Sequence, residues 1–168
     1  LSFRLMAEDL YTIMLLEGIT KANILGFSDG ANLALVFSSC YPEKVHRLIL
    51  NSGNTLVEGV LFSARIASYL HYAWVWLLSI FRPTLRRNLL VINLLLQDVG
   101  LSTADLEKIK SKTLIIVGKK DVIKLKHSLY LAKTIPNASF VLVKEQGHQL
   151  ARKDPERFNQ EVLEFLAE

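Results

Sequence analysis

Apolar positions along this chain follow two rhythms, a helical spacing of three to four residues and short continuous runs, and their alternation sketches the fold. From Phe3 to Glu17, residues Met6, Leu10, Ile13 and Met14 fall at helical spacing, with Ser2 placed as an N-cap and Gly18 as the stop. Ala22 to Gly26 reads as a short strand. A helix follows from Ala31 to about Cys40 and ends at Tyr41-Pro42, because the residue before a proline is biased away from helical backbone. Val45 to Leu50 is a buried strand, and Thr113 to Val117 is another, β-branched and continuous as in parallel strands covered on both faces. Lys126 to Thr134 predicts a helix and Ser139 to Val143 a strand. Asp154 as N-cap and Pro155 at the first position open the last helix, whose inner stripe is Phe158, Val162, Phe165 and Leu166.

Strands that alternate with helices predict an α/β fold with a parallel sheet and helices packed against it. Residues 57–103 interrupt the alternation. They are helix-like, aromatic and without a strand, and too long for an ordinary connection, so they read as an inserted helical cap. The chain then divides into a first core part (1–56), the cap (57–103) and a second core part (104–168). The most apolar stretch, Ile66 to Phe81, holds Tyr69, His71, Tyr72, Trp74 and Trp76 and falls short of the ~20 residues of a membrane span. It is expected as a covered helix, with contact to a membrane surface as the second reading.

Composition narrows the picture. Hydrophobic residues make up 51% and charged residues 21%, which supports a sizeable core and argues against disorder. The net charge of +4, from 20 Lys and Arg against 16 Asp and Glu, is scattered in small clusters such as Arg82, Arg86 and Arg87. No basic stripe with interleaved aromatics marks a nucleic-acid surface. The single cysteine, Cys40, has no partner for a disulfide or a metal site and reads as a buried structural thiol, consistent with a cytoplasmic setting. No signal peptide is visible, and the chain begins at Leu1 rather than Met, so the natural N-terminus is expected upstream.

The sharpest chemical signal is Gly26-Phe27-Ser28-Asp29-Gly30, set where a strand meets a helix. A nucleophile lifted on a tight turn brings the residues two before and two after it together, so small residues are expected at both positions. Ala31 lets the helix start close to the strand. The helix N-terminus then aims amide hydrogens and positive dipole at a developing oxyanion, with the Asp29 amide as donor. Two further residues complete a set. Asp121 follows the strand that ends at Gly118, and His148 follows Ser139 to Val143 after a short loop, so both lie at carboxyl ends of strands, where ligand-facing residues gather. In this set His148 takes the proton of Ser28, and Asp121 holds the imidazole in the useful tautomer. His46, His71 and His127 follow no strand end in that way.

The order Ser, Asp, His, together with Leu25-Gly26-Phe27-Ser28-Asp29-Gly30, Tyr41-Pro42-Glu43-Lys44-Val45, Leu114 to Asp121 and Gln146-Gly147-His148, resembles the α/β-hydrolases along the whole chain. Within them it is most similar to the single-domain esterase-like branch with Asp after the serine, which includes biphenyl-hydrolase-like and valacyclovir-hydrolase-like proteins. The resemblance implies the C-terminal portion of an α/β-hydrolase fold. It also marks two departures. The family's earlier strands, and the loop among them that supplies a second oxyanion donor, do not lie within these residues. Val122-Ile123-Lys124 stands where the family often has a proline after the acid.

The expected activity is hydrolysis of a carboxylic ester, or of an amide or thioester, through an acyl-Ser28 intermediate, with no metal and no cofactor. Phe27 and Asp29 beside the nucleophile, and Tyr69 and Trp74 in the cap, are the candidate substrate contacts, and the apolar cap implies a small, partly apolar substrate. The alternatives are a non-catalytic or truncated member of the fold, and a small-molecule binding protein with the cap as lid. Asp29 is otherwise expected to cap the helix behind the elbow. No nucleic-acid or membrane partner is expected, but Ala22 to Gly26 is expected to present an open sheet edge prone to self-association, beside bare apolar surface at Met6, Ile13 and Met14.

Overall fold

The computed structural model describes residues 1–168. From the N-terminus, α1 (Phe3–Leu16) leads to β1 (Ala22–Phe27), α2 (Asp29–Cys40) and β2 (Val45–Asn51). A helical stretch follows, with α3 (Phe62–Phe81), α4 (Arg86–Leu94) and the short α5 (Thr103–Glu107). The chain then forms β3 (Lys112–Lys120), α6 (Leu125–Thr134), β4 (Ala138–Gly147), α7 (Leu150–Lys153) and α8 (Pro155–Ala167). The four strands lie side by side in chain order, all parallel.

Alternation of side chains splits the core in two. Leu48 and Leu50 of β2, with Ile115 and Val117 of β3, face α1, α2 and α6, where Ala31, Leu35, Phe37 and Leu131 meet them. Ile49, Leu114 and Ile116 point the other way, onto Leu150, Phe158, Val162 and Phe165 of α7 and α8. The helix starts obey their local chemistry. Ser2 Oγ accepts from Leu5 N–H at 3.3 Å, and Asp154 accepts from Arg157 N–H at 3.3 Å ahead of Pro155. Gly18 ends α1 with a φ of 65°, in the left-handed region that favours glycine.

Register sets up the site. Phe27, Asn51 and Ile116 stand abreast across β1, β2 and β3, and Lys120 stands opposite Gly147. The residues that follow each strand therefore leave the sheet at one end. β4 runs to Gly147, past the expected end at Val143, so His148 follows the strand directly rather than after a loop.

Several expectations need correction. The apolar stripe of α3 is not covered: Trp74 and Phe81 are 60% and 79% exposed, while Val75 and Ser79 face inward. Met14 is buried and Met6 half-buried, because α2 covers that side of α1, and only Ile13 of the three is bare. Cys40 is half-buried rather than enclosed. β1 does form an edge, paired only with β2, and its far face exposes Leu25 and Phe27 because α8 packs over β2, β3 and β4 instead.

Candidate active site

Ser28 sits between β1 and α2 with φ 55° and ψ −120°, a conformation that a residue with a side chain adopts only when its surroundings impose it. Its N–H donates to Asn51 O at 2.9 Å, and its carbonyl accepts from Ala31 N–H and Asn32 N–H. Gly26 makes the turn tight: a Cβ there would lie 2.6 Å from Ala31 Cα and would overlap the Gly30 carbonyl. The two glycines are not equivalent, contrary to expectation. A Cβ on Gly30 would meet nothing within 4 Å, since Gly30 contributes its backbone to the crowding at Gly26 and suffers none itself. The amides of Asp29 and Gly30 open α2 and have no acceptor within the chain.

Ser28, His148 and Asp121 converge at the carboxyl end of the sheet. His148 Nε2 lies 3.0 Å from Ser28 Oγ, and His148 Nδ1 lies 2.8 Å from Asp121 Oδ1. Asp121 is buried, at 6% exposure, and every polar contact it makes favours the ionised form. Ile123 N–H donates to Oδ1 at 2.9 Å and Ser52 Oγ donates to Oδ2 at 2.5 Å. Burial pushes this carboxyl up, but the hydrogen bonds from His148, Ile123 N–H and Ser52 outweigh it and hold Asp121 below the usual carboxylate range. An ionised carboxylate on Nδ1 fixes the imidazole proton there and leaves Nε2 free to accept from Ser28.

Ser52 was not among the residues expected from sequence. It is fully buried, adopts φ 60° directly after β2, and accepts from Asn51 Nδ2 at 2.9 Å while it donates to Asp121. The signal existed: a polar residue one step beyond the carboxyl end of a buried strand is the placement that singled out Asp121.

The remaining candidates separate. The Phe27 ring lies 5.1 Å from the His148 ring, so Phe27 borders the site. The Asp29 carboxylate caps no amide, and its one contact is Asn32 Nδ2 at 3.5 Å. Burial pushes the Asp29 carboxyl up, and the nearby His148 only partly offsets this. Tyr69 and Trp74 are not brought to the three residues. Tyr69 lines a separate cavity with Leu56, Val57 and Leu96, and Trp74 faces outward. A cavity of about 510 Å³ beside His148 is lined by polar residues, among them Lys120, Glu145, Gln146 and Lys153, so it is not the apolar pocket expected from the cap. No three His, Cys, Asp or Glu side chains are grouped as metal ligands, and no helix is long and apolar enough to cross a membrane.

A parallel sheet, a strained serine between strand and helix, and an acid and a histidine after the last two strands define the class: an α/β protein built around a nucleophile elbow. The comparisons agree. A sequence model described as alpha/beta hydrolase fold matches residues 2–89, and the chain belongs to that family. It is 29% identical over 186 residues to the 2-hydroxymuconate semialdehyde hydrolase of Pseudomonas putida, covering 90% of this chain and 64% of that protein. It is 28% identical over 196 residues to a protein of Caulobacter segnis provisionally named carbamate hydrolase RutD, covering 96% and 71%. The chain thus spans about two thirds of the length of these relatives. Among solved structures, the meta-cleavage product hydrolase CumD of Pseudomonas fluorescens IP01 superposes with a TM-score of 0.74 at 23% identity, over 99% of this chain and 72% of that one. MGS-MChE2, an alpha/beta hydrolase from a lagoon-sediment metagenome, gives 0.75 at 25% identity, over 99% and 70%.

Proposed function

We propose that this chain carries a serine hydrolase centre that cleaves a carboxylic ester through an acyl-Ser28 intermediate. The observation behind the reading is the unbroken chain of hydrogen bonds from Ser28 through His148 to Asp121, at 3.0 and 2.8 Å. In this reading His148 Nε2 removes the Ser28 proton as Oγ attacks the carbonyl carbon, and Asp121 stabilises the imidazolium that forms. The tetrahedral oxyanion is met by the Asp29 amide at the positive end of α2. His148 then returns the proton to the departing alcohol, and water deacylates Ser28 with the same histidine as base.

The relatives' names support a second reading, in which the same serine acts on a carbonyl whose leaving group is carbon, as in 2-hydroxymuconate semialdehyde, or on a carbamate. Parallel turnover assays with p-nitrophenyl acetate and 2-hydroxymuconate semialdehyde distinguish the readings. Ester turnover that disappears in Ser28→Ala supports the first. Turnover of the semialdehyde alone replaces it with the second. Turnover of neither by folded protein overturns both for this chain.

A further inference from the structure

A second constellation lies away from Ser28, where the root of the cap meets α6. Its centre is His127, 7% exposed and outside the proposed chemistry. The Thr55 N–H donates to His127 Nε2 at 3.0 Å. A backbone amide can only donate, so Nε2 is bare and the neutral ring carries its proton on Nδ1. Burial and then Lys124 hold the ring below its ordinary pKa, which favours that neutral form. The Nδ1–H has no acceptor in the chain, yet it is not sealed in the interior, and His127 lines a cavity of about 420 Å³. Gly59 makes this arrangement possible, because a Cβ there would lie 2.7 Å from the ring. The result is an accessible donor, on an otherwise buried ring that lines the cavity, with no acceptor in the protein.

The rest of the lining suits an anion. Arg65, Lys124 and Lys126 stand around the cavity against the single carboxylate of Glu58. Lys124 Nζ donates one hydrogen to Glu58 O at 2.8 Å and keeps two. The ten-residue α6 begins here with no side-chain cap, and the Leu125 and Lys126 amides have no acceptor, so the positive end of the helix adds to the field. Ser28, Asp121 and His148 are absent from the lining. The walls belong to two parts of the chain joined by a short antiparallel bridge, Val60 to Ile123, with Leu61 N–H on Val122 O and Lys124 N–H on Gly59 O at 2.8 and 2.7 Å.

We propose that this cavity is a binding site for a small oxyanion, a carboxylate or phosphate, held by Arg65, Lys124, Lys126 and the Nδ1–H of His127. Such an anion spans cap and core and ties the root of α3 to the loop that carries Asp121. It satisfies the open donor and neutralises the three cations that line the cavity. A dianionic phosphate binds more tightly than a monocarboxylate, since the attraction scales with charge.

The test is nitrogen-15 correlation spectroscopy of the histidine rings of the whole chain, titrated with sodium phosphate or sodium acetate while chloride keeps the ionic strength constant. The free protein shows His127 protonated on Nδ1 and bare on Nε2. Phosphate moves the Nδ1–H signal in a saturable way, and acetate does so at higher concentration. The double variant Arg65→Gln with Lys126→Gln changes only the cavity rim and weakens phosphate at least tenfold with the tautomer unchanged. If acetate saturates first, the site is a carboxylate site and the phosphate ordering is wrong. A proton found on Nε2, a shift that tracks ionic strength rather than the anion, or equal binding by the double variant overturns the proposal. None of these readouts depends on hydrolysis at Ser28.

Discussion

Ser52→Ala removes the hydrogen bond donated to Asp121 and the one accepted from Asn51 Nδ2, which keeps Ile116 O as a partner, without touching Ser28 or His148. In the parent, Ser52 Oγ donates to Asp121 Oδ2 at 2.5 Å, both residues are buried, and Oδ2 has no other donor. Hydrogen bonds to charged groups contribute roughly 1.5–3 kcal/mol, and a buried carboxylate oxygen left without a donor falls in that range, so the expected loss is about 2 kcal/mol. For a chain of this size that lowers the melting temperature by roughly 4–8 °C. The loss depends on pH. Asp121 is held below its unfolded pKa, so its contribution is present above the unfolded value and disappears as pH falls through the folded one. The gap between parent and Ser52→Ala is therefore full at pH 7 and narrows in acid once Asp121 is protonated, leaving the part due to the Asn51 bond. Ser52→Gly adds a second comparison. It loses the same two bonds but relieves a left-handed φ of 60° that costs a residue with a Cβ about 1 kcal/mol, so it melts above the alanine variant at pH 7. Calorimetric or circular-dichroism melts of the three proteins at neutral and acid pH make the comparison. Equal melting of parent and Ser52→Ala at pH 7 would refute the account of how Asp121 is held.

Other substitutions probe the elbow, the helix cap and the edge. Gly26→Ala drives a methyl into the Gly30 backbone and lowers the melting temperature steeply, whereas Gly30→Ala, with open space at its Cβ, is neutral or stabilising by up to about 1 kcal/mol. Asp29→Asn melts no lower than the parent at pH 7, because burial raises this carboxyl and its ionised form costs stability there; a clear drop would show a partner not seen at this residue. Asp154→Ala removes the acceptor for Arg157 N–H and costs about 1 kcal/mol in chemical denaturation, with Ser28 unaffected. The open edge of β1 and its exposed Leu25 and Phe27 predict concentration-dependent sedimentation, which a single species of the chain's own mass at every dilution would contradict.

What sequence could show followed from physics that acts locally. The strands from Val45 and Thr113 were legible because parallel strands buried on both faces need uninterrupted apolar runs. Ser28, Asp121 and His148 were legible because each follows a strand end. What escaped depends on neighbours distant in the chain. The pairing of Lys120 with Gly147 carries β4 past its apolar stretch, through polar residues whose side chains argue against a strand. The outward stripe of α3 could not be read from periodicity, which gives the apolar face of a helix but not the side that meets the core. His127 looked like an ordinary helix residue, and only the fold brings Thr55 and Gly59 against its ring.

The central claim is that Ser28 is an activated nucleophile, and covalent capture tests it most directly. Folded parent protein is treated with a fluorophosphonate, and intact-mass and peptide mass spectrometry then count and locate the adduct. The account predicts one adduct, on Ser28, and none on Ser28→Ala; folded parent that stays unmodified, or an adduct that persists in Ser28→Ala, would contradict it.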